Sequence, residues 1–264
     1  MIIDLKGRKA VVTGSTGGIG RAIAEGLARA GAAVVVNGRG EVRVANAMAE
    51  MRVMFPQADI IGVAADVATP EGAASLIAAA EDADILVNNL GTARPKPFAE
   101  ITDDDWLHLF QYNVMSGVRM TRHHLPRMVQ RGWGRVVFIS SESAVNIPKE
   151  MIDYGMTKTA QLAISRGLAE SVAGTGVTVN AILPGPTRSE SLIGWMTGIA
   201  QSQGVTVAEA EAQFLRTMRP TSLIDRFATT DEVANMVVYA CSEQASATSG
   251  AALRVDGGVV RYVA

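Results

Sequence analysis

Short apolar runs recur along this 264-residue chain, separated by longer segments whose apolar residues return every three or four positions. Lys9-Ala10-Val11-Val12, Ala33–Asn37, Ile60–Ala64, Ile85–Asn88, Arg135–Ser140, Val177–Ile182 and Ala251–Val255 have the length and the apolar content of buried strands. Between them Ile19, Ile23 and Leu27 stand four apart, as on one helix face. Glu41–Phe55, Pro70–Glu81, Asp103–Arg131, Ile152–Ala173 and Thr229–Ser242 read as further helices, with Asp103-Asp104-Asp105 at the positive end of theirs. Strict alternation of strand and helix predicts an α/β fold. Its core is one doubly wound parallel sheet of about seven strands, helices on both faces and right-handed crossovers. No repeat, low-complexity tract or linker interrupts the pattern, so a single domain over 1–264 is expected.

One stretch departs from the alternation. Residues 188–226 separate the sixth strand from the next helix, far more than the usual ~2–6 residues of such a connection. It carries Leu192, Ile193, Trp195, Met196, Phe214, Leu215 and Met218 among polar residues. Long connections at the carboxyl edge of a parallel sheet commonly cover a ligand, so this segment reads as a small helical lid or as an ordinary helical hairpin packed on the surface.

Composition narrows the partners. Hydrophobic residues make up 48% of the chain, charged ones 19%, and the net charge is −2. That balance gives no footing for nucleic acid or an anionic membrane surface. No apolar run reaches a membrane span, and no leader precedes the first strand, so a cytoplasmic protein is expected. The single cysteine, Cys241, has no partner for an intrachain disulfide and reads as a small core residue. His123 and His124 are adjacent and point to different helix faces, and no metal-ligand spacing surrounds them.

The chemistry lies in two motifs. Thr13-Gly14-Ser15-Thr16-Gly17-Gly18-Ile19-Gly20 follows the first strand and opens the first helix. Gly14 permits the tight turn, while Gly18 and Gly20 let backbone and phosphate approach at a helix N-terminus. Tyr154 and Lys158 stand four apart on one helix face, where an ammonium beside a phenol favours the phenolate. Such a pair suits general acid–base work near neutral pH.

These residues, with Asn88-Asn89-Leu90-Gly91, Asn113, Ser141 and Pro184-Gly185, occur in the order found in the short-chain dehydrogenase/reductase family, which the chain resembles from about Leu5 to Gly258. The resemblance implies a Rossmann-like fold and a reaction that interconverts a carbonyl and a secondary alcohol with a nicotinamide dinucleotide. It implies Tyr154 as proton donor or acceptor, Lys158 as its cationic partner and ribose contact, Ser141 as holder of the substrate oxygen, and Asn113 as anchor of a proton-relaying water. It places Gly14, Ser15, Gly18, Ile19, Gly20, Asn89 and Gly91 on the cofactor, Asp66 and Val67 at the adenine, and Pro184, Gly185, Thr187 and Ser189 at the nicotinamide, with transfer from the pro-S face. The family usually has alanine where Leu90 stands, so crowding of the ribose or altered packing is expected there. Asp66 also reads as an acid ahead of a helix.

Val36-Asn37-Gly38-Arg39 ends the second strand without an acid. Arg39 offers a planar donor fork to a 2′-phosphate, which favours NADP(H). If Arg39 points into solvent and Asn37 alone meets the ribose, dual or NAD use follows instead, and Glu41 nearby blunts the phosphate preference. Glu142, unusual beside Ser141, is either a lid or substrate contact or a helix-face charge.

For the substrate, Ser143, Pro148, Met151, Pro186, Leu192, Trp195 and Met196 suggest a mostly apolar pocket with Lys149, Glu150 and Asp153 at its rim. An apolar or amphipathic small carbonyl compound fits it better than a free sugar. The alternative is a 3-oxoacyl-[acyl-carrier-protein] reductase, for which Arg127, Arg131 and Arg135 would supply basic groups at the mouth. Thr175 stands where such reductases carry a basic residue. A dinucleotide-binding regulator without turnover is a further alternative, set against the retained Tyr154 and Lys158. The resemblance also implies a homotetramer of dihedral symmetry.

Overall fold

The computed structural model describes residues 2–263. Seven strands form one sheet in the order β3-β2-β1-β4-β5-β6-β7. They are β1 (Lys9–Val12), β2 (Ala33–Gly38), β3 (Ile60–Ala64), β4 (Ile85–Asn88), β5 (Gly134–Ile139), β6 (Val177–Pro184) and β7 (Ala252–Val255). Every pairing is parallel. β1 pairs with β2 on one side and β4 on the other, so the chain reverses its direction of travel there. In doubly wound sheets this switch point opens the ligand crevice at the carboxyl ends of the strands.

Successive strand residues face opposite sides of the sheet, and each side has its own core. Ala10, Val12, Val34, Val36, Ile85, Val87, Val137 and Ile139 pack against α1 (Gly18–Arg29), α2 (Glu41–Met54) and α9 (Thr230–Ala240). Their sequence neighbours Val11, Val35, Leu86, Val136 and Phe138 face α3 (Pro70–Ala79) and α5 (Ser116–Gln130). Burial on both faces explains why these strands read as continuous apolar runs. Cys241 belongs to the first core, where burial pushes its thiol up to about 12.

The helix expected over Asp103–Arg131 is broken in register. α4 (Asp103–Phe110) gives way to a π-helical turn, Gln111–Met115, before α5 begins. Thr102 caps α4 with a reciprocal box to Asp105, a stronger start than acids at the dipole alone. The π turn carries Asn113, which the sequence pattern placed on an uninterrupted helix. Such wide turns recur at functional sites.

α6 (Ile152–Ser171) lies against β5 and β6. Between β6 and α9, α7 (Glu190–Gln203) and α8 (Val207–Met218) form a helical hairpin. Met196, Leu215 and Phe227 are the buried centre of its own apolar cluster, flanked by Leu192, Ile199, Val207 and Phe214. No helix among the described residues is long and apolar enough to cross a membrane, and no group of three or more metal-ligating side chains occurs among them.

Candidate active site

The glycine turn is held from behind by side chains. Ser15 donates its hydroxyl to the Val12 carbonyl at 2.6 Å and accepts from the Asn37 N–H at 3.0 Å. Asn37 Oδ1 accepts from the Gly14 N–H at 3.2 Å, and its Nδ2 donates to the carbonyls of Val63 and Ala65. From β4, Asn89 Nδ2 donates to the carbonyls of Thr13 and Gly14, while Thr13 Oγ1 accepts from the N–H groups of Asn89 and Leu90. Asn37 and Asn89, expected at the cofactor, therefore spend their side-chain amides on bracing the loop.

Gly14 has φ 62 and Gly18 φ 57, in the left-handed region. A Cβ on Gly20 would lie 2.4 Å from Asn89 Nδ2 and 2.5 Å from the Gly14 carbonyl oxygen, so no side chain fits. This close-packed turn at the N-terminus of α1 fits the pyrophosphate of a dinucleotide. Ile19 opens α1 behind the turn and packs on the sheet core.

Beside the turn lies a cavity of ≈ 240 Å³ between the ends of β1, β2, β3 and β4. Asn37, Arg39, Asp66, Val67 and Leu90 line it as expected, and so do Arg43 and Tyr112, which the sequence reading missed. Arg39 is exposed and its guanidinium lies 5.7 Å from the Tyr112 ring centre. Arg43 faces the same cavity from α2 and pairs with Glu190 of α7 at 3.4 Å, both largely solvated. A helix turn separates Arg39 from Arg43, and no motif marks the second. Asp66 Oδ1 accepts from the Ala68 N–H, and Thr69, not Asp66, caps α3. Leu90 packs over Gly14: a Cβ there would lie 3.3 Å from Leu90 Cδ1.

Ser141, Tyr154 and Lys158 gather at the carboxyl end of β5. Ser141, just past the strand, is buried and accepts the Ser143 N–H at 3.1 Å. Tyr154 and Lys158 come from the first turns of α6, with Lys158 Nζ 5.5 Å from the Tyr154 ring centre. Lys158 Nζ donates to the Ile139 carbonyl at 2.9 Å and to Gln161 Oε1 at 3.2 Å. A Cβ on Gly91 would come within 3.2 Å of that nitrogen.

The expected lowering of the Tyr154 phenol by Lys158 is not found. Burial raises it to about 12, against a side-chain hydrogen bond with Ser141. Burial pushes Lys158 down to about 7. Desolvation is the leading cause of both shifts, and the ammonium is turned toward a carbonyl and an amide oxygen.

Asn113 is buried, and its side chain holds backbone. Its Oδ1 accepts from the Thr92 N–H at 2.8 Å, and its Nδ2 donates to the Thr92 carbonyl at 2.9 Å and to Thr157 Oγ1 at 3.0 Å. Its main-chain carbonyl accepts from Gln161 Nε2 at 2.6 Å. The direct polar link from Asn113 to Lys158 thus runs through Gln161, a residue no sequence motif singled out.

Beyond β6, Gly185 packs on the Asp256 backbone, leaving 2.7 Å for a Cβ, and Thr187 bridges to Ala228. Thr187 donates its hydroxyl to the Gly185 carbonyl, and Pro184 closes β6. Ser189, expected at the nicotinamide, caps α7 by accepting the Leu192 N–H at 3.3 Å. Met196, expected to face substrate, is instead fully enclosed in the hairpin cluster.

Glu142 resolves as a contact to the hairpin segment. It is buried, and its Oε1 accepts from Arg219 Nε at 2.7 Å and from Ser143 Oγ at 3.2 Å, while its Oε2 has no partner. Burial raises the Glu142 carboxyl, and Arg219 opposes the shift. Arg127, Arg131 and Arg135 do not reach this end of the sheet. Arg135 opens β5 and is buried against the carbonyls of Ser242, Gly134 and Gly176. Arg131 and Arg127 bind Asp82 and Glu81 ahead of β4. They lie at the amino edge, a strand length of roughly 20 Å from Ser141.

A dinucleotide cradle at a switch point, continuous with buried Ser141 and Lys158 and half-buried Tyr154, defines a nucleotide-dependent oxidoreductase of the doubly wound class. Comparison with known proteins gives the family. A family model described as Enoyl-(Acyl carrier protein) reductase matches residues 14–260. The oxidoreductase YvaG of Bacillus subtilis is 46% identical over 263 residues, covering 100% of both chains. The 3-oxoacyl-[acyl-carrier-protein] reductase FabG of Aquifex aeolicus is 33% identical, over 98% of this chain and 100% of its own. Among solved structures, L-sorbose reductase from Gluconobacter frateurii, complexed with NADPH and L-sorbose, superposes with a TM-score of 0.95 at 34% identity, covering 100% of each chain. The chain belongs to the short-chain dehydrogenase/reductase family, whose members are NAD(P)-dependent oxidoreductases.

Proposed function

We propose that this protein is an NADP(H)-preferring oxidoreductase that interconverts a carbonyl and a secondary alcohol on a small substrate. The observation that carries this is the meeting of Ser141, Tyr154 and Lys158 at the carboxyl end of β5, next to the glycine turn. The bound nucleotide supplies or accepts the hydride. Gly14 to Gly20 hold its pyrophosphate, Asp66 and Val67 its adenine, and Gly91 with the Pro184 to Ser189 loop its nicotinamide end.

Tyr154, kept protonated by burial, gives its proton to the carbonyl oxygen in reduction and takes it back in oxidation. Ser141 donates a hydrogen bond to the same oxygen as charge builds on it. Lys158 approaches the ribose and, as a cation, lowers the cost of the phenolate that follows proton transfer. Asn113 holds the Thr92 backbone and the α6 turn between Tyr154 and Lys158. Arg39 and Arg43 present guanidinium groups where a 2′-phosphate would lie, which supports NADP(H) over NAD(H).

One substrate class is an apolar or amphipathic carbonyl compound. A second reading, a hydroxylated ketone, is favoured by the buried Glu142–Arg219 pair beside Ser141, where a donor on the substrate would find an acceptor. The 34% identity to L-sorbose reductase supports it. The carrier-protein alternative loses the basic mouth expected from Arg127, Arg131 and Arg135. The test is a titration with NADPH and NADH beside a panel of apolar ketones, ketoses and 3-oxoacyl thioesters. Turnover with NADPH supports the proposal. Tight nucleotide binding without any turnover would favour a regulator instead.

The protein is further proposed to act as a homotetramer in the cytoplasm. Light scattering at micromolar concentration should give four chain masses; a monomer mass would refute the assembly.

A further inference from the structure

Gln161 lies one turn beyond Lys158 on α6 and is buried, 1% exposed. Its amide touches two groups of opposite demand. Gln161 Nε2 donates to the Asn113 main-chain carbonyl at 2.6 Å, and Gln161 Oε1 accepts from Lys158 Nζ at 3.2 Å. A carbonyl only accepts and an ammonium only donates. Flipping the amide would set oxygen against oxygen and N–H against N–H, so the network admits one orientation.

We propose that Gln161 is a positioning residue for Lys158, its amide fixed by the Asn113 carbonyl so that its oxygen steers the lysine side chain and favours the ammonium form. This rests on the reading of Lys158 as the cationic partner of Tyr154.

The surroundings show why such a group is needed. From its own helix Lys158 faces the titratable Tyr154. From β5 it meets the Ile139 carbonyl, from the loop after β4 the backbone of Gly91, and from the π turn the region of Asn113. None of these carries a negative charge at neutral pH. Burial alone drives the lysine downward, with no carboxylate to offset it. Neutral acceptors are then what keep a proton on Nζ. A glutamate at this position would press a carboxylate oxygen against the Asn113 carbonyl and tie the ammonium in an ion pair. A glutamine orients the ammonium and leaves its charge available to the phenol.

The test follows the Lys158 titration directly, by NMR of protein carrying isotopically labelled lysine. The Lys158 signal is assigned by its loss in Lys158→Met. Wild type is compared with Gln161→Leu and Gln161→Met, the second chosen because its flexible side chain fills the same space without branching. The Lys158 midpoint should fall by about one pH unit or more in either variant. The alkaline limb of kcat/KM for NADPH-dependent carbonyl reduction should fall by the same interval. A midpoint within about 0.3 unit of wild type in a folded variant overturns the proposal. Lost activity with an unmoved midpoint overturns it too, because a packing role alone would give that result. If the wild type turns over no carbonyl, the oxidoreductase reading fails while the NMR titration still decides the role of Gln161.

Discussion

Arg219 Nε lies 2.7 Å from Glu142 Oε1, joining the segment beyond α8 to the residue that follows Ser141. Both side chains are buried, and Glu142 Oε2 has no partner. Taking two charges out of water is costly, and removing one partner leaves the other uncompensated. The pair thereby ties the helical hairpin to the loop after β5. Arg219→Met should destabilise the fold by about 3–5 kcal/mol. Glu142→Gln combined with Arg219→Met should recover much of that loss. Chemical denaturation of the single and double variants measures it; additive losses would show that the two residues act independently.

Tyr154→Phe removes the hydroxyl proposed as proton donor and little else. Turnover should fall by about 10²–10⁴-fold or more, with NADPH affinity within a few-fold of wild type. Steady-state kinetics and fluorescence titration read the two quantities separately. Retention of most activity would sink the proposed chemistry.

Arg39 and Arg43 face one cavity from the end of β2 and the start of α2. Arg39→Ala should weaken NADPH binding by about tenfold and spare NADH, in line with one lost charge-assisted contact. Arg43→Ala should act in the same direction but less, because Glu190 partly neutralises it. Equal losses for both nucleotides would remove the phosphate role from these arginines.

Lys158 sets a pH dependence of stability with a defined sign. Its pKa falls from 10.5 to about 7 on burial, so between those values the folded state binds fewer protons than the unfolded state. Stability from this group is fully present above the unfolded value and is lost as pH falls through the folded one. Lys158→Met has no such term. Its Tm advantage over wild type should therefore be larger at about pH 6.5 than at about pH 9.5. Thermal melts at both values decide; a pH-independent difference would mean that Lys158 is not depressed in the fold.

Strands, helices and the glycine turn were legible in the chain because each depends on local rules. Short continuous apolar runs mark strands buried in the sheet, period-four patterns mark helix faces, and a glycine cluster between strand and helix marks a phosphate turn. Ile60–Ala64 and Ile85–Asn88 are strands with the predicted bounds for that reason. The spacing of Ser141, Tyr154 and Lys158 carried enough information to bring them to one place. What spacing did not carry was how each polar side chain is used. The sequence suggests Asn37 and Asn89 as ligand contacts, yet the loop they stand beside has N–H and carbonyl groups that need partners, and the amides supply them.

The same limit explains the charges. Lys158 and Tyr154 attract each other on a helix drawn in water, but enclosure by β5, the π turn and the Gly91 loop makes desolvation the larger effect, so their pKa values move apart. Gln161 and Arg219 carry no motif, since their partners are a main-chain carbonyl across a helix crossing and a glutamate from another element. The sequence by itself determined the sheet and the glycine turn, which follow from apolar patterning and local backbone freedom, and the spacing that brings Ser141, Tyr154 and Lys158 together. Only the tertiary structure decided which polar groups are consumed as braces and which charges are buried together. Hydrogen bonding and desolvation depend on what long-range packing brings within about 3 Å and shuts away from water.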